Sequence, residues 1–266
     1  TYYIAMEFVD GVTLLKVRKY LRKRRQPFPP RAAAFIMHKV CLGLDYTHSL
    51  TRDGQPLGLV HRDISPSNVM LSRHGHVKLL DFGIAKAVEA IDDELTRTGT
   101  LKGKWSYMSP EQVLGNPVTG RSDIFSAGIV LWELLTGKRL FKDRTDFLTL
   151  TNVSRAVIPP VTGIRPDVPE MFNFICARAM ARAPEERYDN ADAMADDLEA
   201  VLQDSPFSSN RLGVLIDPLV RAEEQRRTPA AAGSMDLAGQ QEVSGSGSAS
   251  LSSSVLQSPP SESYTS

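Results

Sequence analysis

Residues 61–83 read HRDISPSNVMLSRHGHVKLLDFG, and they constrain the chain more than any other stretch. Val69-Met70-Leu71 and Val77-Lys78-Leu79-Leu80 have the apolar character of two short strands, and Ser72-Arg73-His74-Gly75-His76 the composition of a hairpin turn between them. A hairpin returns its ends to one place. The loop before the first strand, with Asp63 and Asn68, therefore lies beside the loop after the second, with Asp81. Three side-chain oxygens at one mouth suit a hard cation such as Mg²⁺, which takes one or two carboxylates and completes its shell with phosphate oxygens. Taken singly, an Asp or Asn at a strand end is a turn or cap residue. His74 and His76 have no third ligand close in sequence and read as turn residues. The chemistry is carried by the joint spacing.

The remaining pattern is mainly helical, so the fold class expected is α+β: mainly α with one short hairpin. Tyr2 to Val9 is a strand-like run that ends at an Asp10-Gly11 turn. Thr13 can cap a helix to about Arg25, which carries Lys16, Arg18, Lys19, Arg22, Lys23, Arg24 and Arg25. Such a cluster is ordinarily a solvated face; its other use is to bind an acidic partner or phosphate. Pro29-Pro30 opens a second helix whose apolar stripe runs to His48, read as the helix end. Residues 123–137 are apolar almost all round, which predicts a buried helix with Asp123 as N-cap and Gly137 as its stop. Helices are expected at about 145–155, 170–181 and 190–203, and one more within 204–227. From 228 to 266 the chain is rich in Ala, Gly, Ser and Pro, a composition that does not fold alone.

His-Arg-Asp, an Asn five positions after the Asp, and Asp-Phe-Gly after a hairpin together form a long signature. It resembles the catalytic and magnesium loops of the protein-kinase family, in a bacterial serine/threonine variant. The resemblance implies the large C-terminal lobe of a kinase-like fold and transfer of the ATP γ-phosphoryl group to a protein hydroxyl. Asp63 would accept or orient the hydroxyl proton, and Asn68 and Asp81 would hold Mg²⁺. His61 and Phe82 would pack in the stack that positions Asp81. Met6 would lie beside the adenine, the backbones of Glu7 and Val9 on its edge, and Met70 beneath it. The segment 84–107 would be the activation loop, with Thr96, Thr98 and Thr100 as candidate phosphosites and Arg62 as the partner of the phosphate. Met108-Ser109-Pro110-Glu111 matches the family's Ala-Pro-Glu with Ser for Ala. Glu111 would then pair with Arg187, and Asp123 would brace the catalytic-loop backbone.

Two departures stand out. Where serine/threonine kinases carry a lysine two residues after the catalytic Asp, this chain has Ser65; where a Thr follows the Gly before the Pro-Glu motif, it has Lys104. The double change suggests that Lys104 supplies the ammonium that Ser65 lacks. The resemblance covers about 1–203, the hinge and large lobe. No G-x-G-x-x-G occurs, and the family's small N-terminal lobe, with its glycine-rich loop, ATP-anchoring lysine and helix glutamate, is expected to be missing. The chain begins at Thr1 within an apolar run and reads as a fragment. The alternative is a truncated, non-catalytic kinase-like module that binds protein partners.

Composition bounds the rest. In 266 residues, 42% hydrophobic content supports a sizeable core, and a net charge of zero gives no reason to expect nucleic acid. Two cysteines in apolar contexts, no run of membrane-spanning length and no signal peptide read as a cytoplasmic protein. The partners expected are ATP and a protein substrate.

Overall fold

The computed structural model describes residues 7–80, 105–203 and 206–227. The first element is a strand, β1 (Gly11–Thr13), which runs into helix α1 (Leu14–Lys23). The sequence pattern placed a strand over residues 2–9 and a turn at Asp10-Gly11. Residues 1–6 lie outside the described residues, 7–10 have no regular structure, and the strand begins at the glycine itself. The reason is a close approach: a Cβ on Gly11 would sit 2.0 Å from the Leu71 carbonyl oxygen. Thr13 caps α1, its hydroxyl accepting from Lys16 N–H.

Helix α2 (Pro30–His48) starts with proline at its first position. Residues 51–56 hold a two-stranded ribbon, β2 (Thr51–Arg52) and β3 (Gln55–Pro56), around a left-handed Asp53-Gly54 turn. Strands β4 (Val69–Ser72) and β5 (Val77–Leu79) form the hairpin, and β1 adds to its other side, giving an antiparallel sheet of order β1-β4-β5.

Past the sheet, a single 3₁₀ turn (Trp105–Tyr107) leads to α3 (Pro110–Leu114), α4 (Gly120–Thr136), α5 (Asp146–Arg155), α6 (Met171–Ala179), a 3₁₀ turn at Pro184–Glu186, and α7 (Ala191–Gln203). Helix α4 is the axis of the core: every residue from Ser122 to Leu135 is buried. Helices α2, α6 and α7 pack round it. It starts a turn earlier than its apolar run, because Thr119 is the N-cap and its N–H donates back to Ser122 Oγ. Asp123 is therefore not the cap; it sits inside the first turn. Gly137 ends the helix in the left-handed conformation.

The last helix, α8 (Ser209–Arg227), packs on α1, β1 and β4, with Leu212, Ile216 and Val220 buried. Each such side chain contributes about 1.5–3 kcal/mol of transfer free energy. Its approach to the hairpin tip depends on glycine. Gly75 has φ +74°, and a Cβ there would sit 1.8 Å from the Ser209 carbonyl oxygen. Lys16 pairs with Glu223, and Arg73 with Asp10 and Glu224.

Candidate active site

Side chains from distant elements anchor the backbone of the loop between β3 and β4. Asp123, buried on α4, accepts from the N–H of His61 through Oδ2 and from the N–H of Arg62 through Oδ1, both at 2.8 Å. His48 Nε2–H donates to the same Oδ2 at 2.8 Å. Arg62 has φ +64°, a left-handed geometry that costs a non-glycine residue about 1–3 kcal/mol. The fold holds it from both sides: Asp123 takes its N–H, and Gln112 Nε2–H donates to its carbonyl at 3.1 Å. Gln112 also closes the capping box of α3 with Ser109. The strain places Asp63 immediately after the fixed point.

Asn68 completes the loop. Its Nδ2 donates to the Asp63 backbone carbonyl at 2.8 Å and to Asp63 Oδ2 at 2.9 Å. Both amide hydrogens are thereby used on Asp63, which fixes the orientation of the amide and leaves Oδ1 as its acceptor atom. Leu80 is held by both ends of the same loop: its N–H donates to Asn68 carbonyl at 2.8 Å, and its carbonyl accepts from His61 Nε2–H at 3.0 Å. Asp81 and Phe82 follow Leu80 in the chain and lie outside the described residues, as do Met6, Thr96, Thr98, Thr100 and Lys104. Ser65 is buried, and its hydroxyl pairs with that of Ser67 at 2.8 Å. Among the described residues no group of three or more His, Cys, Asp or Glu is arranged to hold a metal ion. Asn68 Oδ1 and the Asp63 carboxylate are hard oxygen donors, the type that Mg²⁺ takes.

On the adenine side expected from the sequence, Val9 and Met70 are half-buried; Met70 stands opposite Thr13 on β1 and Lys78 on β5. The exposed Glu7 carboxylate accepts from Lys78 Nζ at 2.6 and 2.8 Å. Behind this edge, α2, the segment 58–62 and β5 surround an open depression of about 1120 Å³. Tyr46 and Leu59 on its wall are 69% and 44% exposed, so this is a broad apolar face.

Two further carboxylates brace the site from below. Glu111 makes a buried two-pronged ion pair with Arg187, at 2.7 and 2.8 Å, and accepts from Ser122 Oγ at 2.6 Å. Burial by itself would raise the Glu111 carboxyl, but the hydrogen bonds from Arg187 and Ser122 outweigh it and hold the group down at about 2. Glu133, fully buried on α4, is shared by Arg18 Nη1 at 2.7 Å, Tyr107 Oη at 2.7 Å, Arg139 Nε at 3.2 Å and the Leu140 N–H. Burial, and then the Glu133 charge, push the Tyr107 phenol up, so it stays a donor. His48, Gln112 and Glu133 were not picked out from the sequence. The Ser109–Gln112 spacing signals only a capping box, and the contacts of His48 with Asp123, Gln112 with Arg62 and Glu133 with Arg18 join residues far apart in the chain.

A family model described as protein kinase domain matches residues 1–232. The chain belongs to the protein kinase domain family. A tyrosine-protein kinase, MasK of Myxococcus xanthus, is 42% identical over 204 residues, 76% of this chain and 31% of that protein. A serine/threonine-protein kinase, PknL of Mycobacterium tuberculosis, is 35% identical over 228 residues, 86% of this chain and 53% of that protein. The crystal structure of the Mycobacterium tuberculosis PknI kinase domain superposes with TM-score 0.53 at 27% identity, over 74% of this chain and 64% of that one. The chain thus spans about a third to a half of the length of these curated relatives. It is a protein kinase domain of the bacterial type with a kinase-like fold. No helix among the described residues is long and apolar enough to cross a membrane.

Proposed function

We propose that the chain is the large lobe and hinge of a serine/threonine protein kinase that transfers the ATP γ-phosphoryl group to a protein hydroxyl. The observation that carries this is the Asp63–Asn68 pair, held on a loop that Asp123 anchors at His61 and Arg62 and that Leu80 ties to the start of the Asp81 segment. In this reading Asp63 orients the acceptor hydroxyl and takes its proton, with Asn68 fixing the carboxylate through Oδ2. Asn68 and Asp81 would hold Mg²⁺, which offsets charge on the phosphates. Met6, the Glu7 and Val9 backbones, and Met70 are assigned to adenine. Thr96, Thr98 and Thr100 are the candidate phosphosites, with Arg62 as the partner of the phosphate, and Lys104 is assigned the ammonium that Ser65 lacks. Phe82 is assigned to the packing around Asp81.

The kinase unit in this reading runs through α8. The apolar face of Tyr46, Leu59, Val77 and Leu79 is assigned to a nucleotide-binding small lobe, since the 266 residues contain no glycine-rich phosphate loop. That same face would serve the alternative, a partner-binding module without catalysis.

The test is phosphoryl transfer from labelled ATP by the full-length protein, with phosphoamino-acid analysis of the product. Asp63→Asn is expected to lower kcat by about 10²–10⁴-fold, the usual worth of a positioned base. Label on serine or threonine supports the proposal. Label on tyrosine, as the name of the Myxococcus relative would suggest, overturns the acceptor class; undiminished transfer by Asp63→Asn overturns the assigned base.

A further inference from the structure

A second cleft, of about 410 Å³, lies between α1, the segment 25–28 and the C-terminal end of α4. Its charges are one-sided. Arg18, Lys19, Arg22, Arg25, Arg139 and Arg165 line it, and among the described residues Glu133 is the one carboxylate on its wall. Glu133 is already shared between Arg18 and Arg139, and Arg165 pairs with Asp167 at 3.1 Å. Lys19, Arg22 and Arg25 are exposed and make no ion pair or side-chain hydrogen bond in the described structure. Three cations on one rim, with the local acid used up beneath them, form an anion-seeking surface.

Its position ties it to the candidate active site. The first turn of α1 rests on the catalytic loop, where Leu15 N–H donates to the Pro66 carbonyl at 2.8 Å. From that contact Lys19 and Arg22 lie roughly 6 and 10 Å along the helix direction, at about 1.5 Å per residue, and Arg25 follows just past the helix end. The cleft's inner wall continues the same way: Arg18 and Arg139 bond Tyr107, and Gln112 of the next helix bonds the Arg62 carbonyl. An extended peptide advances about 3.3 Å per residue. A hydroxyl presented at Asp63 would therefore bring side chains about two to five residues away over the three cations.

We infer that this cleft is a docking groove for an acidic peptide, its carboxylates on Lys19, Arg22 and Arg25, two to five residues from the hydroxyl to be phosphorylated. The inference rests on the proposed function only in calling the peptide a substrate; the docking is measured without nucleotide. The chain's own sequence contains such a pattern, Asp92-Asp93-Glu94 ahead of Thr96.

The probe is a fluorescein-labelled synthetic peptide with the sequence of residues 88–100, titrated by anisotropy with the full-length protein. A neutral counterpart carries Asp92→Asn, Asp93→Asn and Glu94→Gln. The acidic peptide should bind about tenfold tighter or more, the sum expected of three exposed ion pairs, and lose that advantage in high salt. Lys19→Gln/Arg22→Gln/Arg25→Gln should bring the two peptides level. The same charge removed elsewhere, Arg52→Gln/Arg155→Gln/Arg182→Gln, should leave the preference in place. Equal binding of the two peptides, or indifference to the cleft triple variant, overturns the inference. So does a single-stranded RNA that binds the cleft as tightly as the acidic peptide and is lost in the same triple variant. If neither peptide is phosphorylated while the binding preference stands, the kinase reading fails and the docking groove does not.

Discussion

Glu111 and Glu133 are both buried carboxylates braced by arginine, one against the start of α4 and one near its end, and they are built differently. Around Glu111 every donor turns inward. Arg187 meets it with two N–H groups, spends others on the carbonyls of Ala181, Arg121 and Arg182, and lies over the Phe125 ring at 4.7 Å. Around Glu133 the donors come from the surface: Arg18 and Arg139 have side chains 13% and 35% exposed. A one-to-one pair in a dry site fixes one arrangement of two helical segments. A carboxylate shared by two arginines at the bottom of a cleft neutralises the floor and leaves the rim positive. The first pattern serves to lock, the second to present charge.

The sharpest way to break this contrast is Arg187→Met. It strands Glu111 in a buried site, and removing one member of a buried pair costs about 3–5 kcal/mol. Calorimetry should show the loss as a fall in Tm, and Glu111→Leu/Arg187→Met should be more stable than the single variant. A single-variant loss under about 1 kcal/mol would mean the pair is open to water.

Acid gives the next largest effect. Glu111 titrates at about 2 in the fold against an ordinary 4.5. A carboxyl depressed by folding adds stability above its unfolded pKa and loses it as pH falls towards its folded one. The contribution is on the order of 3 kcal/mol, present above pH 4.5 and shed between about 4.5 and 2. Denaturant titrations at pH 6 and pH 3 should differ by most of that amount in the parent and by much less in Glu111→Leu/Arg187→Met. Equal differences in both would move the acid sensitivity to another group.

How much of this was readable beforehand follows from the range of each interaction. The hairpin of β4 and β5, the caps at Thr13 and Gly137, and the buried run of α4 are local: neighbours in sequence determine them, and periodicity or a turn residue displays them. The apolar run put Asp123 at the N-cap, one turn late, because the helix starts at the Thr119–Ser122 exchange rather than where the apolar run begins; only the resemblance pointed to its bond with the catalytic-loop backbone. The strand at Gly11 was hidden for a different reason. Its pairing partner, Leu71 to Ser72, is sixty residues on, and glycine reads as a turn until the close backbone contact is known. His48, Gln112 and Glu133 look like ordinary helix residues. Their long-range partners Asp123, Arg62 and Arg18 lie 75, 50 and 115 residues away, and no spacing rule spans such distances.

Glu133→Gln sharpens the comparison from the other side. Arg18 and Arg139 can turn towards water when the charge goes, so stability should fall by only about 1–2 kcal/mol, the range for losing a hydrogen-bonded partner. At the same time the cleft gains a net positive charge. The acidic probe peptide should bind a few-fold tighter to this variant than to the parent, which anisotropy would read. A stability loss as large as that of Arg187→Met would make Glu133 a second lock.

The smallest expected effect tests whether bracing can act on turnover with little cost to the fold. His48 donates to Asp123 Oδ2, the oxygen that also takes the His61 N–H, and its ring lies so close to Gly120 that a Cβ there would come within 2.7 Å. In His48→Ala the carboxylate keeps its two backbone donors and loses the third. Stability should fall by about 1 kcal/mol, the worth of one hydrogen bond. Asp123 would then be freer to tilt, and the left-handed Arg62 ahead of Asp63 less firmly held, so kcat should drop several-fold with KM for ATP unchanged. His48→Gln restores a donor on a longer arm and should recover part of kcat. Arg187→Met predicts the opposite division, with stability lost and turnover per folded molecule kept. If His48→Ala lowers Tm steeply and leaves kcat alone, His48 belongs with Arg187 as a lock, and the catalytic loop is held by Asp123 without its help.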